Sequence, residues 1–226
     1  MLPTISTSVS YRSGQGLRWL FELSLVGTGM LFVRCLIVEN LVFSFLVWNL
    51  FLAWVPLLTA LALTAASEGR RLNPYGLWAG VGFWLLFLPN SPYIITDLFH
   101  IRVVAEQTLW FDTMMIFLFA VTGLLAGLYS ILLIHRLLHQ RLGAGRAWLL
   151  ILACLVLCSY GIYIGRYGRW NSWDLFTRPF TLFSAIFDTL RNPFVWKLTL
   201  SYTFAQIGLY VGFTRFVHHR THESLD

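Results

Sequence analysis

The stretch AWLLILACLVLCSYGIYIG, residues 147–165, runs nineteen positions without a charged side chain. A helix of about 20 apolar residues crosses the hydrocarbon core of a bilayer. In lipid every backbone N–H and C=O needs an internal partner, so a run of this kind is expected as a transmembrane helix. Five further apolar runs share the 226-residue chain. The six lie near Leu17–Val38, Leu41–Ala65, Tyr75–Leu88, Thr113–Ile134, Ala147–Ile164 and Trp196–Phe216, the third short and stopped at Pro89. Small residues in the fifth allow close helix packing. The first follows Arg12 and Arg18 as a signal peptide would, but lacks a small-x-small cleavage site and continues to Arg34, so it reads as a retained anchor.

Composition agrees: 58% of residues are hydrophobic, 12% are charged, and mean hydropathy is +0.69. A soluble domain carries about a quarter charged residues. The net charge of +6 does not indicate nucleic acid, because the charges are scattered between apolar runs. Cys35, Cys154 and Cys158 all lie in apolar segments and read as small core hydrophobes. The expected fold is an all-α polytopic transmembrane bundle of about six spans. Residues 1–18 form an N-terminal segment, 19–217 the spanning domain and 218–226 a tail.

Basic residues between the runs orient the bundle. One side receives nine: Arg12, Arg18, Arg70, Arg71, Arg136, Arg141, Arg146, Arg215 and Arg220. The other receives six, Arg102, Arg166, Arg169, Arg178, Arg191 and Lys197, and most of the acids. Both termini are therefore expected in the cytoplasm of a cell membrane.

On the far side lies LPNSPYIITDLFH, residues 88–100. Asn90 or Ser91 can cap a helix that has Pro92 at its first position. On a 3.6-residue helix Tyr93, Asp97 and His100 share one face, with Ile94, Ile95, Leu98 and Ile101 opposite, which describes an amphipathic interfacial helix. The second polar stretch is GRYGRWNSWD, residues 165–174. Asn171 or Ser172 caps a helix there, Trp170 and Trp173 suit an interfacial belt, and Arg166 with Arg169 form a fork for phosphate or carboxylate, held by Asp174. Phe180, Phe183, Phe187 and Leu190 mark a second helix lying flat on the membrane. Two polar side chains sit within the spans, Arg34 about 6 Å and Asn49 about 12 Å from the same outer side. Groups of this kind usually face a partner or a cavity.

Three segments, WNLFLAWVPL at 48–57, LPNSPYIITDLFH and GRYGRWNSWD, resemble in this order the hallmarks of a family of bacterial polytopic membrane proteins, the domain of unknown function DUF family 1361. The resemblance runs from about Arg34 to the last span. It implies a multi-spanning protein with Asn49, Asn90, Asp97, His100, Arg166, Asn171 and Asp174 on the family's pattern positions. Ser91 stands where alanine is the more frequent residue. No established activity comes with the family.

The polar groups therefore nominate a ligand-binding set of Arg34, Asn49, Asn90, Tyr93, Arg166, Arg169, Asn171 and Asp174. The favoured reading is a binding or assembly component that recognises an anionic lipid head group or a membrane partner. The alternative is a membrane enzyme for an amphiphilic, phosphate-bearing substrate, with Asp97 and His100 as acid–base pair or metal ligands. Transport is disfavoured, because ionisable residues deep in the spans are few. His135 and His139, and His218, His219 and His222, read as solvated helix ends rather than a metal site, and no cofactor is expected.

Overall fold

The computed structural model describes residues 8–69, 72–103 and 107–222, with side chains from residue 14 onward except at 102–103 and 218–222. Arg70, Arg71 and Glu106, and the side chains of Arg12, Arg102, His218, His219, Arg220 and His222, lie outside the described residues. Every described element is helical: α1 (Ser8–Val38), α2 (Phe45–Glu68), α3 (Pro74–Phe87), α4 (Asn90–Tyr93), a 3-10 helix (Ile94–Val103), α5 (Leu109–Leu142), α6 (Ala144–Gly168), α7 (Asp174–Thr177), α8 (Pro179–Leu190) and α9 (Pro193–His222).

Four of these, α1 from Gly14, α2, α5 and α6, are long and apolar enough to cross a membrane. The chain is an integral membrane protein. Each of the six apolar runs supplies most of a helix, but α3 has 14 residues and reaches only about 21 Å. α9 has the length and carries more polar residues. α2 also begins later than its apolar run, after a turn at Leu41–Ser44, so Asn49 lies about 6 Å from the helix end rather than about 12 Å.

Local sequence sets the boundaries. The Asn73 Oδ1 accepts the Gly76 N–H at 2.6 Å and Pro74 follows at the first helical position, which starts α3 sharply. α5 and α6 are separated by Gly143 alone, at φ 83°, a conformation cheap only without a Cβ. α6 stops where Arg169 turns left-handed at φ 55° and the next residue, Trp170, donates its N–H to the Ile164 carbonyl at 3.4 Å.

α5 is the central post, packed by α1, α2, α6, α9 and the segment 90–103. Leu57, Trp84, Ile134, Leu138, Ile151 and Leu155 fill the larger core, and Phe43, Leu46, Ile116 and Phe119 a second one towards the end that holds the starts of α2 and α5. Two indoles find hydroxyls, the buried Trp84 on Ser130 and the half-buried Trp54 on Ser24, both at 3.1 Å. The outward faces of α1 and α8 remain strongly apolar, as lipid contact requires: Phe32, Leu36, Phe180 and Phe187 are all well exposed.

Candidate functional site

The break between α3 and α5 builds the site. Pro89 and Pro92 have no N–H, so the helical ladder cannot continue through residues 89–92 and carbonyls at the end of α3 need other donors. The Asn90 amide donates to the Phe87 carbonyl at 2.9 Å and to the Ser172 Oγ at 3.0 Å, while Ser172 donates to the Leu86 carbonyl at 2.9 Å. Asn90 is therefore spent on holding the turn and on tying it to the 170–174 loop. Ser91 donates to the Ala53 carbonyl of α2 at 3.1 Å.

Two glycine pairs at i, i+4 let this turn sink between helices. On α5 an added Cβ at Gly123 would stand 2.7 Å from Ile94 and 2.9 Å from the Ser91 carbonyl, and one at Gly127 2.7 Å from the Ser91 Cβ. On α6 a Cβ at Gly161 would stand 2.6 Å from Pro89 and one at Gly165 3.2 Å from the Tyr93 ring. Pro89–Ile94 is thus clamped between two small-residue stripes. This corrects the expectation of a helix with Tyr93, Asp97 and His100 aligned on one outward face. Beyond Tyr93 the chain tightens to three residues per turn, so Ile94, Asp97 and His100 come into line instead. Ile94 and Asp97 are buried and the Tyr93 ring packs on Gly165.

Asp97 is 1% exposed. Its Oδ2 accepts the Asn49 amide at 2.8 Å, and its Oδ1 faces the Arg166 guanidinium at 3.7 Å and the His100 Nδ1 at 3.8 Å. The His100 Nδ1 sits closer to the Asp97 backbone carbonyl, at 3.2 Å, and the ring leans on Phe45. Burial pushes the Asp97 carboxyl up from 3.8 to about 6, against the opposing pulls of Asn49, His100 and Arg166. Arg166 lies over the Phe99 ring and makes no hydrogen bond to protein among the described residues. Around the same end Trp48 stacks on Phe51 and meets Trp173 edge-on.

Of the nominated residues, the structure gathers Asn49, Asp97, His100 and Arg166. The others serve elsewhere. Arg34 is buried in an ion pair with Asp112, Nε to Oδ1 at 2.8 Å, backed by the Asn40 side chain at 2.6 Å and the Phe43 ring. Asp174 does not hold the arginine fork. Its Oδ2 accepts the Asn171 N–H at 2.8 Å and its Oδ1 the Arg178 guanidinium at 3.0 Å, bonds that keep its carboxyl below the usual carboxylate range despite burial. Asn171 thus enters the turn through its backbone, with Asp174 reaching back as a capping-box acid would. Arg169 is exposed at the left-handed cap and paired with no acid among the described residues.

His135 is not a solvated helix end either: α5 runs on to Leu142, and the buried imidazole bonds the Tyr210 hydroxyl of α9 at 2.7 Å. Sequence reasoning missed Asp112, Arg178 and the glycine pairs. Asp112 and the glycines left a trace: Asp112 opens α5 on the same side as Arg34, and both glycine spacings are the small-xxx-small pattern of close helix approach.

A lipid-embedded helical bundle with a buried acid, an amide, a guanidinium and an imidazole gathered at one end defines a class, polytopic helical membrane proteins with a polar end site. The chain belongs to the family described as Protein of unknown function (DUF1361), whose model matches residues 48–209. That match takes in Asn49, Asp97, His100 and Arg166. No curated protein and no solved structure matches the chain.

Proposed function

We propose that the Asp97–Arg166–His100 cluster is a binding site for the anionic head group of a membrane amphiphile, and that the protein acts as a binding or assembly component on the non-cytoplasmic face. The excess of Arg on the opposite side supports that orientation, with both termini in the cytoplasm. One observation carries the reading: the Arg166 guanidinium is about one-fifth exposed, and its nearest carboxylate oxygen, at 3.7 Å, is beyond hydrogen-bond reach. A planar fork of N–H donors left open beside a partly exposed imidazole suits a phosphate or carboxylate. The aromatic side chains of Trp48, Phe51 and Phe99 at that end suit the glycerol and acyl boundary of a lipid.

The test is lipid retention. Purified protein is exchanged in detergent against equal amounts of phosphatidylglycerol and phosphatidylcholine, and the bound lipid is quantified by native mass spectrometry. Preferential retention of the anionic lipid, lost in Arg166→Gln, is the expected result. Equal retention of both lipids refutes the reading.

A second reading has one favouring observation. A carboxyl lifted to about 6 is suited to general acid–base work at neutral pH, which fits an enzyme with Asp97 as the proton-transfer group. Against it, the His100 Nδ1 stands 3.8 Å from the carboxylate and nearer the backbone carbonyl.

A further inference from the structure

Four buried side-chain atoms have no hydrogen-bond partner among the described residues: His135 Nε2, Arg136 Nε, Thr199 Oγ1 and Thr203 Oγ1. All four belong to α5 or α9. The threonines are the more telling pair. Elsewhere in the bundle Ser24, Thr59, Thr64, Thr122 and Ser159 each close their hydroxyl onto the carbonyl four residues back. That bond is open to any helical threonine. Thr199 and Thr203 forgo it, which leaves two hydroxyls free in the interior.

They stand in line. Thr199, Thr203, Gln206 and Tyr210 repeat at i, i+4, i+7 and i+11 on one face of α9, and all are buried. Successive members are about 6, 4.5 and 6 Å apart along the axis. Two O–H···O bonds in series span about 5.6 Å, so each step is within the reach of one water. The column is tied to its neighbours at defined points. The Gln206 amide donates to the Ser159 Oγ of α6 at 2.8 Å, and the Tyr210 hydroxyl meets the His135 Nδ1 of α5 at 2.7 Å. The other end, Thr199, stands six residues into α9, and Tyr202, one turn on from it, comes within electrostatic range of Arg166, which faces Asp97. Buried polar atoms without protein partners in an interior of this kind mark the places of ordered water.

We propose that the seam between α6 and α9 holds a file of water that carries protons between the Asp97 end of the bundle and His135. His135 is built as the relay. It takes a proton at the free Nε2 from a water on that side, whose O–H bond breaks, and releases one from Nδ1 to the Tyr210 hydroxyl, whose own proton passes to the next water. Each transfer breaks one O–H or N–H bond and forms another, so no charge stays on the tyrosine. The groups facing the imidazole are Tyr210 of α9, His139 of its own helix and the Trp148 ring of α6 in edge contact, and Arg136 interacts with Tyr210 in turn. A free second nitrogen is what separates a relay from a merely structural histidine.

The inference does not depend on the head-group reading, and Thr203→Val leaves Arg166 and His100 in place. The full chain is reconstituted in vesicles with an internal pH-sensitive dye, and a potassium gradient with valinomycin drives proton entry. Wild-type vesicles are expected to change internal pH severalfold faster than protein-free ones. Thr203→Val is nearly isosteric and breaks no hydrogen bond to a described protein group, so it should keep its thermal stability and lose most of that flux. Gln206→Leu should do the same if it unfolds no earlier than wild type. Wild-type flux equal to that of protein-free vesicles overturns the proposal, as does full flux in a folded Thr203→Val.

Discussion

The Asn49 side-chain amide, one turn into α2, donates to the Asp97 carboxylate at 2.8 Å across 48 residues of sequence. It is the only side-chain hydrogen bond to that carboxylate among the described residues, and it works against the burial that lifts the carboxyl to about 6. Asn49→Leu should therefore raise the Asp97 titration further. Difference infrared spectroscopy of the protonated carboxyl stretch follows it directly, and an unchanged or lowered midpoint contradicts the assignment.

Asp97 also sets a pH dependence of stability. Its folded carboxyl titrates near 6 and its ordinary value is 3.8, so the folded state holds the proton more tightly. The contribution of Asp97 to stability is then greatest below about pH 4, falls as pH rises to about 6, and stays lower by ~3 kcal/mol above that. Asp97→Asn removes the penalty. The variant should unfold at a higher temperature than wild type at pH 8, and the gap should close at pH 4.

An anion seated between Arg166 and His100 would raise the Asp97 carboxyl again, so binding should take up a proton. Head-group affinity is expected to fall as pH rises above about 6, by at most tenfold per unit. Titrating phosphatidylglycerol retention at several pH values reads this slope, and Asp97→Asn should flatten it.

The buried Arg34–Asp112 pair makes a different prediction. Removing one partner strands a charge in the interior, so Asp112→Leu or Arg34→Leu alone should cost about 3–5 kcal/mol. The double apolar variant should recover most of the loss. Unfolding of all four proteins in detergent completes the cycle, and simple additivity of the two losses would deny the pair.

Packing of the 89–94 turn is tested at Gly123. A Cβ there meets the Ser91 backbone carbonyl at 2.9 Å, which cannot rotate away as a side chain can. Gly123→Ala should cost about 1–3 kcal/mol and weaken head-group retention by shifting the turn. At Arg169 the opposite holds. Its left-handed backbone suits glycine, so Arg169→Gly should stabilise by about 1 kcal/mol and leave retention unchanged.

What the sequence determined by itself is what depends on local composition and chain length. Apolar runs of about 20 residues can satisfy their backbone in lipid only as helices, so the helical membrane class and the places of the six runs were legible, as was the end of the bundle to which Asp97, His100, Arg166 and Asn49 belong. Pairing was not. Arg34 finds Asp112 across 78 residues, and Asp174 turns to Arg178 rather than to the two arginines closest before it. Nor did the pattern of residues 93–100 disclose a 3-10 helix, which begins at Ile94, where the clamp between the glycine stripes of α5 and α6 ends. Side-chain partners and local winding are decided by which helices meet and how closely. That is a property of the packed bundle, which no single segment contains.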